Sequence, residues 1–201
     1  MGKIVWKPGT MVYPLPAVLV SCGTMEAPNL ITIAWTGTLC TNPTIVYISV
    51  RPERLSYDLI KKTGNFAINL TTTDMVRATD YCGVKSGRDV DKFKETGLTP
   101  IQGQCLDIPI IKESPLALEC ELMEIKPLGS HDLFIAKVIG VTVEDSFLDE
   151  SGKFRLDQAG LIAYSHGAYY ELGEKLGTFG YSIMKKKTRI RKQKKSGGRR
   201  V

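Results

Sequence analysis

The sequence predicts a mainly β fold with short helices, an α+β class, and three observations carry the prediction. Apolar runs of strand length, rich in β-branched and aromatic residues, recur between Pro, Gly and Asn breaks. Segments with helical spacing are short, and each stops at a glycine or a polar break. The longest apolar stretches, at residues 17–22 and 45–50, fall far short of the ~20 residues a membrane helix needs. With 201 residues, 43% of them hydrophobic, the chain can enclose one sizeable core. One domain is therefore expected over residues 1–184, followed by a basic tail at 185–201.

The elements follow in order. The opening MGKIVWKPGT has no charged, apolar and small-residue series of a secretory signal, so the cytoplasm is the expected location and no membrane partner is expected. AVLVSCG at 17–23, NLITIAW at 29–35 and TIVYISV at 44–50 read as strands. SYDLIKKT at 56–63 has helical spacing, with Ser56 as its expected N-cap and Gly64 just past its end. FAINL at 66–70 is a strand, and Thr73 or Asp74 is expected to cap a second short helix through Tyr81. The Gly- and Pro-punctuated stretch 82–115 reads as an excursion over the sheet, with one short helix in DKFKETGL at 91–98 stopped at Gly97. Residues 116–128 and 132–145 form a long hairpin around Gly129-Ser130-His131, and 161–173 offers two more short extended pieces. The tail at 185–200 lacks apolar periodicity beyond Ile190 and is expected to be mobile.

The formal charge of +6 is unevenly placed: ten of the 27 basic residues and no acidic residue follow Met184, leaving 17 basic against 21 acidic in the body. The body is therefore net acidic, which argues against a nucleic-acid-binding fold. The tail could tether a polyanion, but it has no aromatic residue to stack on bases. Five cysteines without a CxxC, and only two histidines, make no metal site. Reduced thiols are expected, mostly buried as small apolar residues. Cys82, beside Gly83 in a polar stretch, is the one to watch.

Three places could carry chemistry. In RPERLS, Arg51 and Arg54 stand beside a helix start whose free amides and Ser56 hydroxyl could hold an anion such as phosphate; two solvated arginines on a loop would read the same way. Trp35 leads into the small, hydroxyl-bearing Thr36-Gly37-Thr38, a composition that lets a planar ring approach the backbone, though an ordinary core Trp before a loop is equally consistent. His131 lies in the turn of the long hairpin, where a structural histidine is also common. Tyr164, Tyr169 and Tyr170 read first as packing. No Walker loop, GxGxxG, HExxH or Ser-His-Asp order occurs.

Taken together, MVYPLPAVLVSCGT at 11–24, NLITIAWTGTLCTNP at 29–43, ISVRPERLSYDLI at 48–60, FAINL at 66–70, SGRDVDKFKETGL at 86–98 and SHDLFIAKV at 130–138 resemble the flavin reductase-like family, in particular its flavoredoxin branch. The resemblance covers nearly all of residues 8–180. It implies an FMN-binding split β-barrel whose homodimer interface helps enclose FMN. Carried over residue by residue, it implies that Asn29, Trp35, Thr36, Gly37 and Thr38 contact the flavin or its ribityl chain, and that Arg51, Arg54 and Ser56 hold the phosphate. It further implies that Lys92 meets the phosphate or the negative charge of reduced flavin, that His131 and Tyr164 lie near the isoalloxazine ring, and that Cys82, Ser86 and Gly87 form a loop near the cofactor. No side chain need act as acid or base, since the chemistry belongs to flavin N5; Lys92 and His131 are candidates for tuning it. The resemblance leaves two functions open, an NAD(P)H-dependent flavin or ferric reductase and an FMN electron carrier between protein partners.

Overall fold

The computed structural model describes residues 1–184. The basic segment 185–201, expected to be mobile, lies outside the described residues. Among the described residues twelve strands and three α-helices are formed: β1 (Leu15–Pro16), β2 (Val18–Gly23), β3 (Pro28–Ile33), β4 (Thr36–Thr41), β5 (Thr44–Val50), α1 (Leu55–Thr63), β6 (Asn65–Asn69), α2 (Val76–Val84), α3 (Lys92–Thr96), β7 (Pro100–Gln102), β8 (Pro109–Ile111), β9 (Leu116–Pro127), β10 (Asp132–Val143), β11 (Ile162–Ser165) and β12 (Ala168–Glu171). Seven strands make one antiparallel sheet in the order β3-β2-β6-β9-β10-β5-β4. The sheet curls until β3 meets β5, and Ser49 N donates to Trp35 O at 2.9 Å. It does not close, so the architecture is a split barrel. A second sheet, β1-β11-β12, and the β7–β8 hairpin flank it. Among the described residues no helix is long and apolar enough to cross a membrane.

Alternation along each strand decides what lies inside. On β2, Val18, Val20 and Cys22 face the barrel interior with Ile48, Phe66 and Phe134, while Leu19 faces outward into a second cluster under α2 and α3. Those side chains are almost wholly buried, and each fully buried aliphatic contributes about 1.5–3 kcal/mol relative to exposure. The sequence misses the β7–β8 hairpin, whose Ile108, Ile110 and Ala117 contacts form a third cluster. Punctuation by Gly and Pro masks a strand of only three residues.

One buried charge holds this part of the molecule together. Glu119, on β9, is fully buried and accepts from the amides of Gln104, Cys105 and Leu106 at 2.9, 2.8 and 2.8 Å and from Thr142 Oγ1 at 2.8 Å. Burial pushes its pKa up, but those donors outweigh it and hold the carboxyl below its usual value.

The helix boundaries differ from the reading of the sequence in instructive ways. Arg54, extended at φ −77° and ψ 138°, is the N-cap of α1, and Gly64 ends the helix in the left-handed region at φ 74°. Ser56 is therefore inside the first turn and not the cap; it is buried and accepts from Asn29 Nδ2 at 2.7 Å. α2 follows a 3₁₀ turn at Thr73–Met75 and runs on to Val84 instead of stopping at Tyr81. α3 has the expected form, with Asp91 Oδ1 accepting from Lys94 N at 3.2 Å and Gly97 at φ 72°.

Candidate flavin-binding site

The open seam between β3 and β5 makes a groove. Ile31, Thr32 and Ile33 of β3 and Ser49 and Val50 of β5 supply its floor, Trp35 and His131 one wall, and Arg51, Arg54 and Gly83 the rest, around a cleft of about 160 Å³. Trp35 sits where the chain leaves β3 and stays 36% exposed. Its indole lies against the His131 imidazole, ring centroids 4.7 Å apart at 44°. The turn before β10 delivers His131, and Ser130 Oγ lies 3.0 Å from its Nδ1. Burial first, then the Arg51 guanidinium, and Arg54 with it, hold His131 below its usual pKa, with Glu53 pulling the other way. The ring is therefore neutral at pH 7 and offers one N–H donor.

Past Ile31 and Arg54, which line both, lies a small end pocket formed by Asn29, Leu55, Ser56, Lys85, Ser86, Gly87 and Lys92. Its chemistry is that of an anion site. Arg54 forms no ion pair among the described residues, and the first turn of α1, a nine-residue helix, presents free amides there. Gly87 closes the end: a Cβ at this position would collide with Asn29 Oδ1. Lys92 is 5% exposed, and its Nζ donates to Leu30 O and Cys82 O at 2.7 Å each. Burial is the main cause that holds its pKa below the usual lysine value, and Arg54 adds to it while Cys82 and Cys22 oppose.

The structure thus brings Asn29, Trp35, Arg51, Arg54, Ser56, Ser86, Gly87, Lys92 and His131 to two adjoining pockets that share Ile31 and Arg54. Others of the expected residues stand elsewhere. Thr36, Gly37 and Thr38 are not a loop lining the cleft but the start of edge strand β4, paired to Ile48, Tyr47 and Val46. Thr36 spends its hydroxyl on Tyr47 O at 2.6 Å, and the missing Cβ of Gly37 admits the Tyr47 ring. Cys82 points into the cluster under α2 and α3, where burial pushes its thiol up to about 11 with Lys92 pulling it down; its neighbour Gly83 is the one that reaches the cleft. Tyr164 lies on the separate small sheet, packed on Tyr13 and Tyr169 at 6.3 and 5.4 Å. Ile31, Gly83 and Leu55 were not singled out from sequence. The alternation of β3 would have found Ile31, because Asn29 and Ile31 share a face.

This donor set fits a flavin mononucleotide. The half-exposed Trp35 indole offers an aromatic face with the tilted His131 ring beside it, and the opposite end offers a guanidinium without an ion pair among the described residues, helix amides and a buried ammonium to a dianionic group. Comparisons with known proteins agree. Residues 10–173 match the family model of the flavin reductase like domain. Flavoredoxin of Desulfovibrio vulgaris (Miyazaki F) superposes with a TM-score of 0.83 at 30% identity, covering 91% of this chain and all of that one. A protein of Pyrococcus abyssi is 32% identical over 143 residues, 71% of this chain and 81% of its own. The NADH-dependent FMN reductase AsuE2 of Streptomyces nodosus subsp. asukaensis is 22% identical over 137 residues, 68% of this chain and 73% of its own. With fold, groove and sequence match in accord, this chain belongs to the flavin reductase-like family of split-barrel proteins, whose chemistry is flavin-linked oxidation and reduction.

Proposed function

We propose that the chain is an FMN-dependent oxidoreductase that takes hydride from NADH or NADPH. The observation that carries the reading is the adjacency of the cleft beside Trp35 and His131 to the small pocket beyond Arg54, which lines both. Bound FMN would accept hydride at N5 and pass on two electrons, and the chain's own residues supply position and charge. Trp35 would cover one face of the ring. Arg54, the α1 amides and Ser56 would hold the phosphate. Neutral His131 donates one hydrogen bond at the ring's polar edge, where a donor favours the electron-rich reduced form. The name of the Streptomyces relative, an NADH-dependent FMN reductase, supports the choice of donor.

A homodimer is part of the proposal. The single-chain cleft of about 160 Å³ is smaller than the ~300 Å³ at which ligand pockets begin, and β4 leaves an unpaired sheet edge beside exposed Trp35 and Leu39. A second copy covering that edge would deepen the groove. The free thiols of all five cysteines suit the reducing cytoplasm. The similarity to flavoredoxin favours a second reading, an FMN electron carrier serving a protein partner.

The visible spectrum of the purified protein, followed anaerobically after NADH or NADPH is added, tests the reading. Flavin bands that bleach promptly are expected. Bands that persist until a protein partner or dithionite is supplied favour the carrier, and a colourless protein that fails to take up added FMN refutes both.

A further inference from the structure

The two ends of the site are carried by different elements: Arg54 and Ser56 by the start of α1, His131 by the turn that enters β10. Among the described residues one side-chain hydrogen bond joins those elements, from Tyr57 Oη to Asp132 Oδ2 at 2.8 Å. Tyr57 lies in the first turn of α1, where its amide donates to Arg54 O at 3.0 Å. Its ring packs edge-on against buried Phe134 of β10, centroids 5.1 Å apart at 83°. Asp132 opens β10, is 7% exposed, and pairs through its backbone with Val50 on β5 and Pro127 on β9. No cation pairs with its carboxylate among the described residues. A buried carboxylate in that position is held where its donor is, since losing the donor leaves the charge unpaired. The bond to Asp132, and burial after it, keep the Tyr57 phenol above its usual pKa, so at neutral pH the phenol is the donor.

His131 has no such anchor of its own. Its ring leans on half-exposed Trp35 and its Nδ1 on exposed Ser130. Where the ring sits is therefore set by the backbone on either side: His131 O accepts from Leu128 N at 3.1 Å, and Asp132, next in sequence, is tied to α1. The charges that shift His131 are those of Arg51, Glu53 and Arg54, and Asp132 is not among them. Asp132 thus reaches His131 through the chain and not through its charge.

From this we infer that Tyr57 and Asp132 are positioning residues of the proposed flavin site, and that their hydrogen bond fixes the spacing between His131 at the ring end and Arg54 and Ser56 at the phosphate end. The inference rests on the proposed flavin reading and deepens it. Neither residue lines the cleft or the end pocket; each acts through its neighbours. A ligand that engages both ends at once gains from their being held at one distance, because the second contact is then made without a search. A ligand that engages one end alone gains nothing from the tie, since the groups at that end can move with it.

The test is a fluorescence titration of the full chain, freed of flavin, with FMN and with riboflavin, which engages the ring end alone. Tyr57→Phe keeps the ring on Phe134 and removes only the hydroxyl. It is expected to weaken FMN binding about tenfold and riboflavin binding by no more than about twofold. Asp132→Ala is expected to do the same from the other partner, and the double variant to be no worse than either single one, because all three lose the same bond. Asp132→Asn keeps an oxygen that can accept from Tyr57 and is expected to bring FMN affinity back to within about threefold of the parent. The chain has two histidines, so the His131 ring signal can be followed by NMR in the flavin-free protein; Tyr57→Phe should shift it, as the ring moves against Trp35, and Asp132→Asn should leave it in place. An equal loss for both flavins, an FMN affinity that Tyr57→Phe leaves unchanged, or an Asp132→Asn chain as impaired as Asp132→Ala overturns the inference while the flavin reading stands. Failure of the parent chain to bind either flavin overturns both.

Discussion

Arg54→Ala should separate phosphate binding from ring binding. The guanidinium lies where the ring cleft and the end pocket meet, half-buried, beside the N-terminus of α1, with no ion pair among the described residues. A hydrogen bond to a charged group contributes about 1.5–3 kcal/mol, and no internal carboxylate offsets it here. FMN should therefore bind roughly 10- to 150-fold more weakly to the variant. Arg51 is the built-in control: its side chain is 51% exposed and already paired with Glu53 at 3.4 Å. An exposed charge in that setting contributes at most about 1 kcal/mol, so Arg51→Ala should cost about fivefold or less. Quenching of flavin fluorescence on titration with protein gives each Kd, and riboflavin, which lacks the phosphate, is the second control. Its affinity should not change with Arg54→Ala. An equal loss for FMN and riboflavin, or an effect of Arg51→Ala as large as that of Arg54→Ala, would refute the placement of the phosphate.

Other consequences are as direct. Gly87→Ala should weaken FMN binding by more than about tenfold and also lower the thermal midpoint, because the new Cβ collides with buried Asn29, which is bonded to Ser56, and crowds Leu55. Glu119→Gln should destabilise the chain by about 2–4 kcal/mol, since an amide nitrogen then faces donors that bonded a carboxylate. Glu119's folded pKa lies below its unfolded value. Its contribution is therefore complete above the unfolded value near ~4.3 and is lost as pH falls through the folded one. Urea midpoints should show less loss between pH 7 and acid for the Gln variant than for the parent. A thiol reagent at mildly alkaline pH should label exposed Cys105 first. Cys22, Cys82 and Cys120, which burial pushes up to about 11, about 11 and about 12, should react only on unfolding; prompt labelling of Cys82 would contradict its placement under α2.

The strands of the barrel were legible because their side chains obey the local rule. Val18, Val20 and Cys22 alternate with Leu19 and Ser21, and β-branched composition marks β3 and β5. Strand β4 was not legible for the opposite reason. Thr36-Gly37-Thr38 has the composition of a loop, and what makes it a strand is backbone pairing to β5 together with the Tyr47 ring lying in the space of the absent Gly37 Cβ. Composition records side chains, and an edge strand of small residues is held by its main chain. Ser56 shows a related limit. Its residue type suits an N-cap, but Arg54 takes the extended conformation and Ser56 turns inward to Asn29, a choice made by a partner 27 positions away.

Lys92 shows most clearly what a sequence can and cannot say about a site. A lysine in a loop-to-helix segment is equally suited to a phosphate, a reduced ring or a pair of carbonyls, because each offers only negative potential. Here two donors go to Cys82 O, at the unsatisfied C-terminal end of α2, and to Leu30 O on β3. The ammonium therefore ties the end of α2 to the strand that carries Asn29 and Ile31. Thr32 Oγ1, which donates to Thr79 O, ties the same pair of elements one turn earlier. Between them these bonds bring Gly83 within reach of the ring cleft and Gly87 against Asn29. The positive charge that suggests cofactor contact in the sequence thus serves the site first through geometry, by placing both glycines, and its remaining N–H is what is left for an anion in the end pocket.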